Sequence, residues 1–250
     1  MKKLLILIAL ISVLFLGNVL AKDVAYVVKN PTSPDTNFIS VLSGLNLTYD
    51  LIDDSSVPGT NFSKYKMILV PDERFSSYFN DIPVNKVNSL ILNTYYLNEW
   101  HWISDGVSQT ASNQPLKANV VKVNEITKNI PSIFQVYTSA RYDGVSIPMY
   151  YMSKYKKALK INGIVSTDSD ISDSVIATAE KGTILKDNYI SDAKGVFFGI
   201  TEAAYWTADS KKLFQNSVKW LVEGANQAPI FSGPIPNQTW NENENLTLNL

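Results

Sequence analysis

Asp23-Val24-Ala25-Tyr26-Val27-Val28-Lys29, then the polar Asn30-Pro31-Thr32-Ser33-Pro34-Asp35, then Thr36 to Leu42, is the stretch that decides the fold. Unbroken apolar residues between charged ones read as a strand buried on both faces, and the Pro-rich link ahead of a short periodic run reads as a loop entering a helix. Further strands are predicted at Leu47 to Ile52, at Lys66-Met67-Ile68-Leu69-Val70 and at Ser89-Leu90-Ile91-Leu92, with Pro83 to Asn88 a short helical or turn segment. Strand, helix, strand, strand at such short separations predicts an α/β fold with a mostly parallel sheet flanked by helices.

From Ala118 to Ile190 the pattern changes to short β-branched runs, among them Val120-Val121-Lys122-Val123, Gly163-Ile164-Val165-Ser166 and Ser174-Val175-Ile176-Ala177-Thr178-Ala179. Gly195-Val196-Phe197-Phe198-Gly199-Ile200 then reads as an apolar strand. It leads into an amphipathic helix with Leu213, Phe214, Val218, Trp220 and Leu221 on one face, Ala208-Asp209-Ser210 at its cap and Gly224 at its end. Beyond it, Pro229, Pro234 and Pro236 mark a linker, and the alternation through Leu246, Leu248 and Leu250 reads as the first strand of an all-β module. The expected organisation is a signal peptide over 1–21, an α/β domain over 22–224, a linker over 225–233 and a truncated all-β module over 234–250.

Lys2 and Lys3 precede an apolar run from Leu4 to Leu16, and Gly17-Asn18-Val19-Leu20-Ala21 then sets small or short side chains before Lys22-Asp23. That is the layout of a secretory signal cleaved after Ala21; the alternative is an uncleaved N-terminal anchor. Both place the rest of the chain outside the cytoplasm, secreted or at the cell surface, touching a membrane only through the N-terminal segment or a missing C-terminus. With no cysteine, disulfides, thiolate nucleophiles and cysteine-ligated metals are excluded. With 22 Lys and Arg against 23 Asp and Glu, and no stripe of Lys or Arg that would neutralise phosphates, the lysines of Ser153 to Lys160 reading as a solvated loop or helix face, nucleic acid is not an expected partner. Sequons at Asn46, Asn61, Asn237 and Asn245 are candidate glycosylation sites in an exported chain.

Two stretches resemble the class I glutamine amidotransferase-like group, especially its ThuA-like relatives. Glu125-Ile126-Thr127-Lys128-Asn129-Ile130-Pro131 is similar to the group's His-Pro-Ile-Thr-x-Gly-Leu-Pro turn, and Gly195-Val196-Phe197-Phe198-Gly199-Ile200-Thr201-Glu202 to its Gly-Val-Gln-Phe-His-Pro-Glu strand end. The resemblance implies an amidotransferase-like, flavodoxin-like sheet over about Val24 to Glu223. It also shows what has gone. The strand that would carry the nucleophilic Cys runs into Asn93-Thr94-Tyr95-Tyr96, the histidine position is Gly199 or Ile200, and Glu202 alone persists. A carboxylate without imidazole and thiolate cannot run the glutaminase mechanism. Gly233-Pro234-Ile235-Pro236-Asn237-Gln238-Thr239-Trp240 resembles the opening of Ig-like and cadherin-like repeats of microbial surface proteins, which implies further repeats beyond Leu250.

In open α/β sheets ligands bind beyond the carboxyl ends of the strands. The clusters expected there are Asp72-Glu73-Arg74, then Asn93 and Tyr95-Tyr96 with Trp100-His101-Trp102, and Glu202 with Tyr205-Trp206. Glu73 and Glu202 read either as an acid/base pair or as an ion-paired residue and a cap. The aromatic residues read either as a stacking shelf for sugar rings or as ordinary packing. His101 is the sole histidine, so a His-rich metal site is impossible and any triad would need it. No Gly-rich turn follows the first strand, so no nucleotide cofactor is expected. The Asp168–Asp173 run lacks the glycine and terminal glutamate of a calcium loop, so no metal is expected either. The leading expectation is a non-catalytic extracellular or cell-surface binding or adhesion module, with glycans or other surface polymers as partners. The alternatives are an extracellular carbohydrate-active hydrolase using Glu73 and Glu202, and a structural spacer.

Overall fold

Val24 to Val28 form β1 with every side chain buried, as an uninterrupted apolar run between two neighbouring strands requires. The computed structural model describes residues 22–76 and 78–223; the expected signal segment, linker, all-β strand and helix-ending Gly224 lie outside the described residues. After β1 come α1 (Thr36–Gly44), β2 (Tyr49–Asp53), β3 (Met67–Val70) and β4 (Ser89–Ile91). Short strands follow: β5 (Ser108–Thr110), β6 (Lys117–Val120), β7 (Ile133–Gln135), β8 (Arg141–Tyr142), β9 (Val145–Ser146) and β10 (Met149–Tyr151). Then β11 (Asn162–Thr167), β12 (Ser174–Ala179) and β13 (Gly195–Phe198) lead to α2 (Ala208–Val222).

Nine strands form one sheet in the order β2-β1-β3-β4-β13-β12-β11-β6-β7. The pairs from β2 to β13 are parallel and those from β13 to β7 antiparallel, so β6 and β12 alone run against the rest. The expected mixed α/β fold with a mostly parallel sheet is therefore present, with an antiparallel half that the short β-branched runs build. Two short antiparallel pairs form separate two-stranded sheets, β8 with β9 and β5 with β10, and the chain of β10 is bonded to the main sheet at Gly199 and Ser174.

Alternate residues of the central strands point to opposite faces and seed two cores. On one face Val24, Tyr26, Met67, Leu69, Leu90 and Phe198 pack with Phe38 and Leu42 of α1 and Leu213, Phe214 and Val218 of α2. The other face is covered largely by irregular chain, where Ala25, Val27, Ile68, Ile91 and Phe197 meet Phe62, Tyr96, Trp100 and Trp102. Asp35 caps α1 by accepting from Asn37 N, and Thr207, one residue before the expected cap, accepts from Ser210 N at the start of α2. No helix among the described residues is long and apolar enough to cross a membrane.

Two glycines bound the chain around β13. A Cβ on Gly195 would press on the buried ring of Trp102, and one on Gly199 would overlap the carbonyl oxygen of Tyr150 and crowd that of Val175. At Gly199 the backbones are already bonded: its N–H donates to Val175 O at 2.8 Å, and its carbonyl accepts from Tyr150 N at 2.9 Å. Backbone cannot swing aside as a side chain can. Gly199→Ala should therefore cost about 2 kcal/mol or more in urea unfolding, at the upper part of the overpacking range. Gly59→Ala, where a Cβ meets nothing within 4 Å, should stay within about 0.5 kcal/mol of wild type.

Candidate functional site

The carboxyl ends of β1, β3, β4 and β13 converge on one edge of the sheet, and the turns leaving them carry acid. Asp35 lies on the loop after β1, Asp72 and Glu73 directly follow β3, Asn93 follows β4 and Glu202 follows β13. Asn93 is fully buried and is the brace of the site. Its Nδ2 donates to Pro71 O at 3.0 Å and Glu73 O at 2.7 Å, while its Oδ1 accepts from Tyr95 N at 3.0 Å. Asp72 Oδ1 accepts from the Thr94 N–H at 2.8 Å and hydroxyl at 2.7 Å. Glu73 Oε2 accepts from Lys29 N at 2.7 Å and is thereby tied to the end of β1.

The charges in this crevice act on one another. Burial pushes the Asp72 carboxyl above the usual range, against the two Thr94 donors, which favour its charged form. Partial desolvation and then the Asp72 and Asp35 carboxylates hold Glu202 up, although its side chain is exposed at the surface. Glu73 is raised by burial and by Asp54 and Asp35, opposed by the Lys29 N–H. Tyr150, brought in by the crossing at Gly199, is pushed up to about 12 by burial and by the negative charge of Asp72, Tyr95 and Glu202. Tyr26 is raised by burial, and its hydroxyl accepts from Asp35 N at 3.3 Å. The one guanidinium, Arg74, lies 4.9 Å over the ring of Tyr95, and both side chains are exposed.

Asp72, Glu73, Asn93, Tyr95 and Glu202 thus gather where the sequence places them, with Arg74 at the rim. Glu202 is coupled to Asp72, and no interaction joins it to Glu73. Tyr205 is partly open beside the β8–β9 hairpin, its ring 5.8 Å from that of Tyr142. The remaining aromatics are packing. Tyr96 is buried against Phe79 at 4.1 Å and donates to Phe75 O at 2.9 Å. Trp206 is wedged among Phe38, Phe198 and Phe214. Trp100 and Trp102 are buried beside Asn85, and Trp102 reaches the amino end of β13 at Gly195, about 20 Å of extended chain from Glu202. His101 is near them, with Nδ1 3.1 Å from Asp187 Oδ2 and its ring stacked on Tyr189. The segment after Tyr95 folds back under the sheet, so the shelf of Tyr96, Trp100, His101, Trp102 and Trp206 does not form.

Two residues of the crevice were not singled out from sequence. Asp35 had a usable signal, since it lies between a strand and its helix on the same edge as the others. Tyr150 had none, because β10 reaches the site by crossing over β13. Among the described residues no group of three or more His, Asp or Glu could hold a metal ion. Asn46 and Asn61 are exposed, although Asn61 Oδ1 accepts from Ser63 N at 3.1 Å. Asn237 and Asn245 lie outside the described residues.

No protein-family model matches the chain, and no curated protein does. Solved structures similar to it are glutamine amidotransferase-like. One is a protein from Thermoplasma acidophilum named for a GMP synthase subunit, 13% identical, covering 81% of this chain and 95% of its own, with a TM-score of 0.45. Another is a glutamine amidotransferase from Thermotoga maritima, 10% identical, covering 81% of this chain and 99% of its own, with a TM-score of 0.46. The expectation of a non-catalytic cell-surface binding or adhesion module is corrected here. The aromatic shelf that glycan binding required does not form, because Tyr96, Trp100, Trp102 and Trp206 pack against the core.

Raised carboxyl pKa values have a defined consequence for stability. Such a group contributes stability that is complete below its unfolded pKa and is lost as pH rises through the folded one. Asp72→Asn keeps an acceptor for Thr94 and removes the charge. It should raise Tm at about pH 8 by about 2–4 °C, the shift that about 1 kcal/mol produces in a chain of this size. The gain should vanish near about pH 3, where the wild-type carboxyl is protonated. In the same variant, carboxyl NMR titration should find the Glu202 pKa lowered.

Proposed function

We propose that the carboxyl-edge crevice is the active site of an acid–base enzyme acting on a small, neutral or cationic polar substrate. The observation that carries this reading is that Asp72 and Glu202 follow the two strands flanking β4, on one edge of the sheet, and both carboxyls are held above their ordinary range, with the Tyr150 hydroxyl raised by burial and by the charge of both. Perturbed titrating groups in a cleft are what proton-transfer chemistry uses. Their surroundings divide the roles. Asp72 is held by two donors that favour its charged form and serves as the base. Glu202 has no such donor and is raised further by the charge of Asp72 and Asp35, and in this reading serves as the acid. Tyr150 keeps its proton at neutral pH and offers a hydroxyl to the substrate.

The field selects the substrate. Asp35, Asp72, Glu73 and Glu202 outnumber the cations of this edge, Lys29 and Arg74, so anions are disfavoured and neutral or positively charged molecules favoured. Within this reading the chain is a ThuA-like relative of the amidotransferases that runs without thiolate or imidazole, with Asn93 at the nucleophile's position. Residues 1–21 support an address outside the membrane, and residues 234–250 support an Ig-like module following the enzyme domain.

The test is depletion of a defined panel of small amines, amides and hydroxy compounds by the purified chain, followed by mass spectrometry across pH. Glu202→Gln and Asp72→Asn should each lower kcat/KM on any consumed compound by about 10²–10⁴, the usual worth of a positioned acid or base. Consumption unchanged in both variants, or no consumption of any panel member, overturns the reading.

A further inference from the structure

The opposite edge of the sheet gathers the other sign of charge. A cleft of about 330 Å³ opens at the amino ends of β3, β4 and β13, lined by Lys66, Lys86, Lys181 and Lys194 over Asn88 and Ala193. Topology explains the convergence. Lys66 immediately precedes β3, Lys86 lies in the turn before β4 and Lys194 immediately precedes β13. Lys181 follows β12, which runs antiparallel to β13 and so ends at the same edge. These lysines come from four separate segments, so no basic run in the sequence announces them.

Two of the four are held in place. Lys66 Nζ pairs with Asp23 at 2.8 Å, and Lys194 Nζ lies 4.6 Å over the ring of Trp220. Lys86 and Lys181 have no carboxylate partner within 4.0 Å among the described residues. Asp192 is the only acid in the lining, and together with Asp23 it offsets two of the four charges. Ammonium groups brought within a Debye length repel one another, and a multiply charged anion relieves that repulsion while releasing the small counterions that screened it. The cleft falls within the size range of small-molecule sites. Its size suits a pyrophosphate or sulfate ester group and not an extended polymer.

We propose that this amino-edge cleft is a binding site for a small, multiply charged oxyanion of the phosphate or sulfate class, held chiefly by Lys86 and Lys181 with Lys66 and Lys194 as preset partners. It is separate from the carboxyl-edge crevice, which repels such ligands, and the two readings stand or fall independently.

The probes are inorganic pyrophosphate and inorganic sulfate, titrated into the full chain by calorimetry and amide NMR at low and at physiological ionic strength. Pyrophosphate should bind at about 1 mM or tighter, a free energy of about 4 kcal/mol. Its shifts should be confined to residues 63–66, 86–88, 181 and 192–194, and its affinity should fall as salt rises. The double variant Lys86→Ala/Lys181→Ala should weaken it about tenfold or more, with thermal unfolding unchanged as the control for folding, while Lys160→Ala should leave binding as it is. Preference for pyrophosphate assigns the phosphate class, and preference for sulfate the sulfate class. Shifts spread over the whole surface, affinity equal in the double variant and wild type, or no binding by either anion overturns the proposal.

Discussion

The close crossing at Gly199 is the contact on which the crevice depends. β13 has buried side chains throughout and pairs with β4 on one side and β12 on the other, so neither neighbour can move away from it. Only a residue without a Cβ lets the Tyr150 backbone pass there. The two hydrogen bonds made by Gly199 fix the crossing chain at the point where β13 ends. Tyr150 is therefore fixed by backbone geometry at the end of β13, where the charge of Asp72 and Glu202 acts on its hydroxyl. A conformational constraint in the sheet thus becomes an electrostatic one in the site.

The division of charge along the strand axis follows from how sheets of this kind are entered and left. Residues just before parallel strands share one edge and residues just after them share the other. In this chain the first set supplies Lys66, Lys86 and Lys194, and the second supplies Asp35, Asp72, Glu73 and Glu202. A nearly neutral chain therefore has an excess of lysine at one end of its sheet, partly offset by Asp23 and Asp192, and an excess of carboxylate at the other, partly offset by Lys29 and Arg74. Net charge hides that arrangement completely.

What could be read from sequence tracks how much each element depends on local pattern. β1, β3, β4, β12 and β13 were legible because strands buried on both faces must be apolar throughout, and α2 because its buried residues recur at helical spacing. β6 and β7 were much less so, since they are short, partly exposed and held by their partners in the antiparallel half. Of the crevice, Asp72, Glu73 and Glu202 were legible because they directly follow strands whose edge was known. Tyr150 and the lysine cleft were not, because each is assembled by contacts between segments far apart in the chain. Trp100 and Trp102 show the opposite failure. They lie soon after β4, yet the chain turns back under the sheet and carries them to its other end.

Asn93 decides what chemistry the carboxyl edge can support. A nucleophile after a central strand must leave its reactive atom unencumbered and aimed at substrate. Here the side chain is buried and committed to Pro71, Glu73 and Tyr95. It joins the turn after β3 to the turn after β4 and so sets the position from which Asp72 faces Glu202. Asn93 thus serves as a structural brace between these two turns. Proton transfer needs no covalent partner from the protein, only two groups of different basicity at a fixed separation and a substrate between them. A strand end whose buried side chain is a committed brace is compatible with that chemistry and closed to acyl transfer through the enzyme at that position.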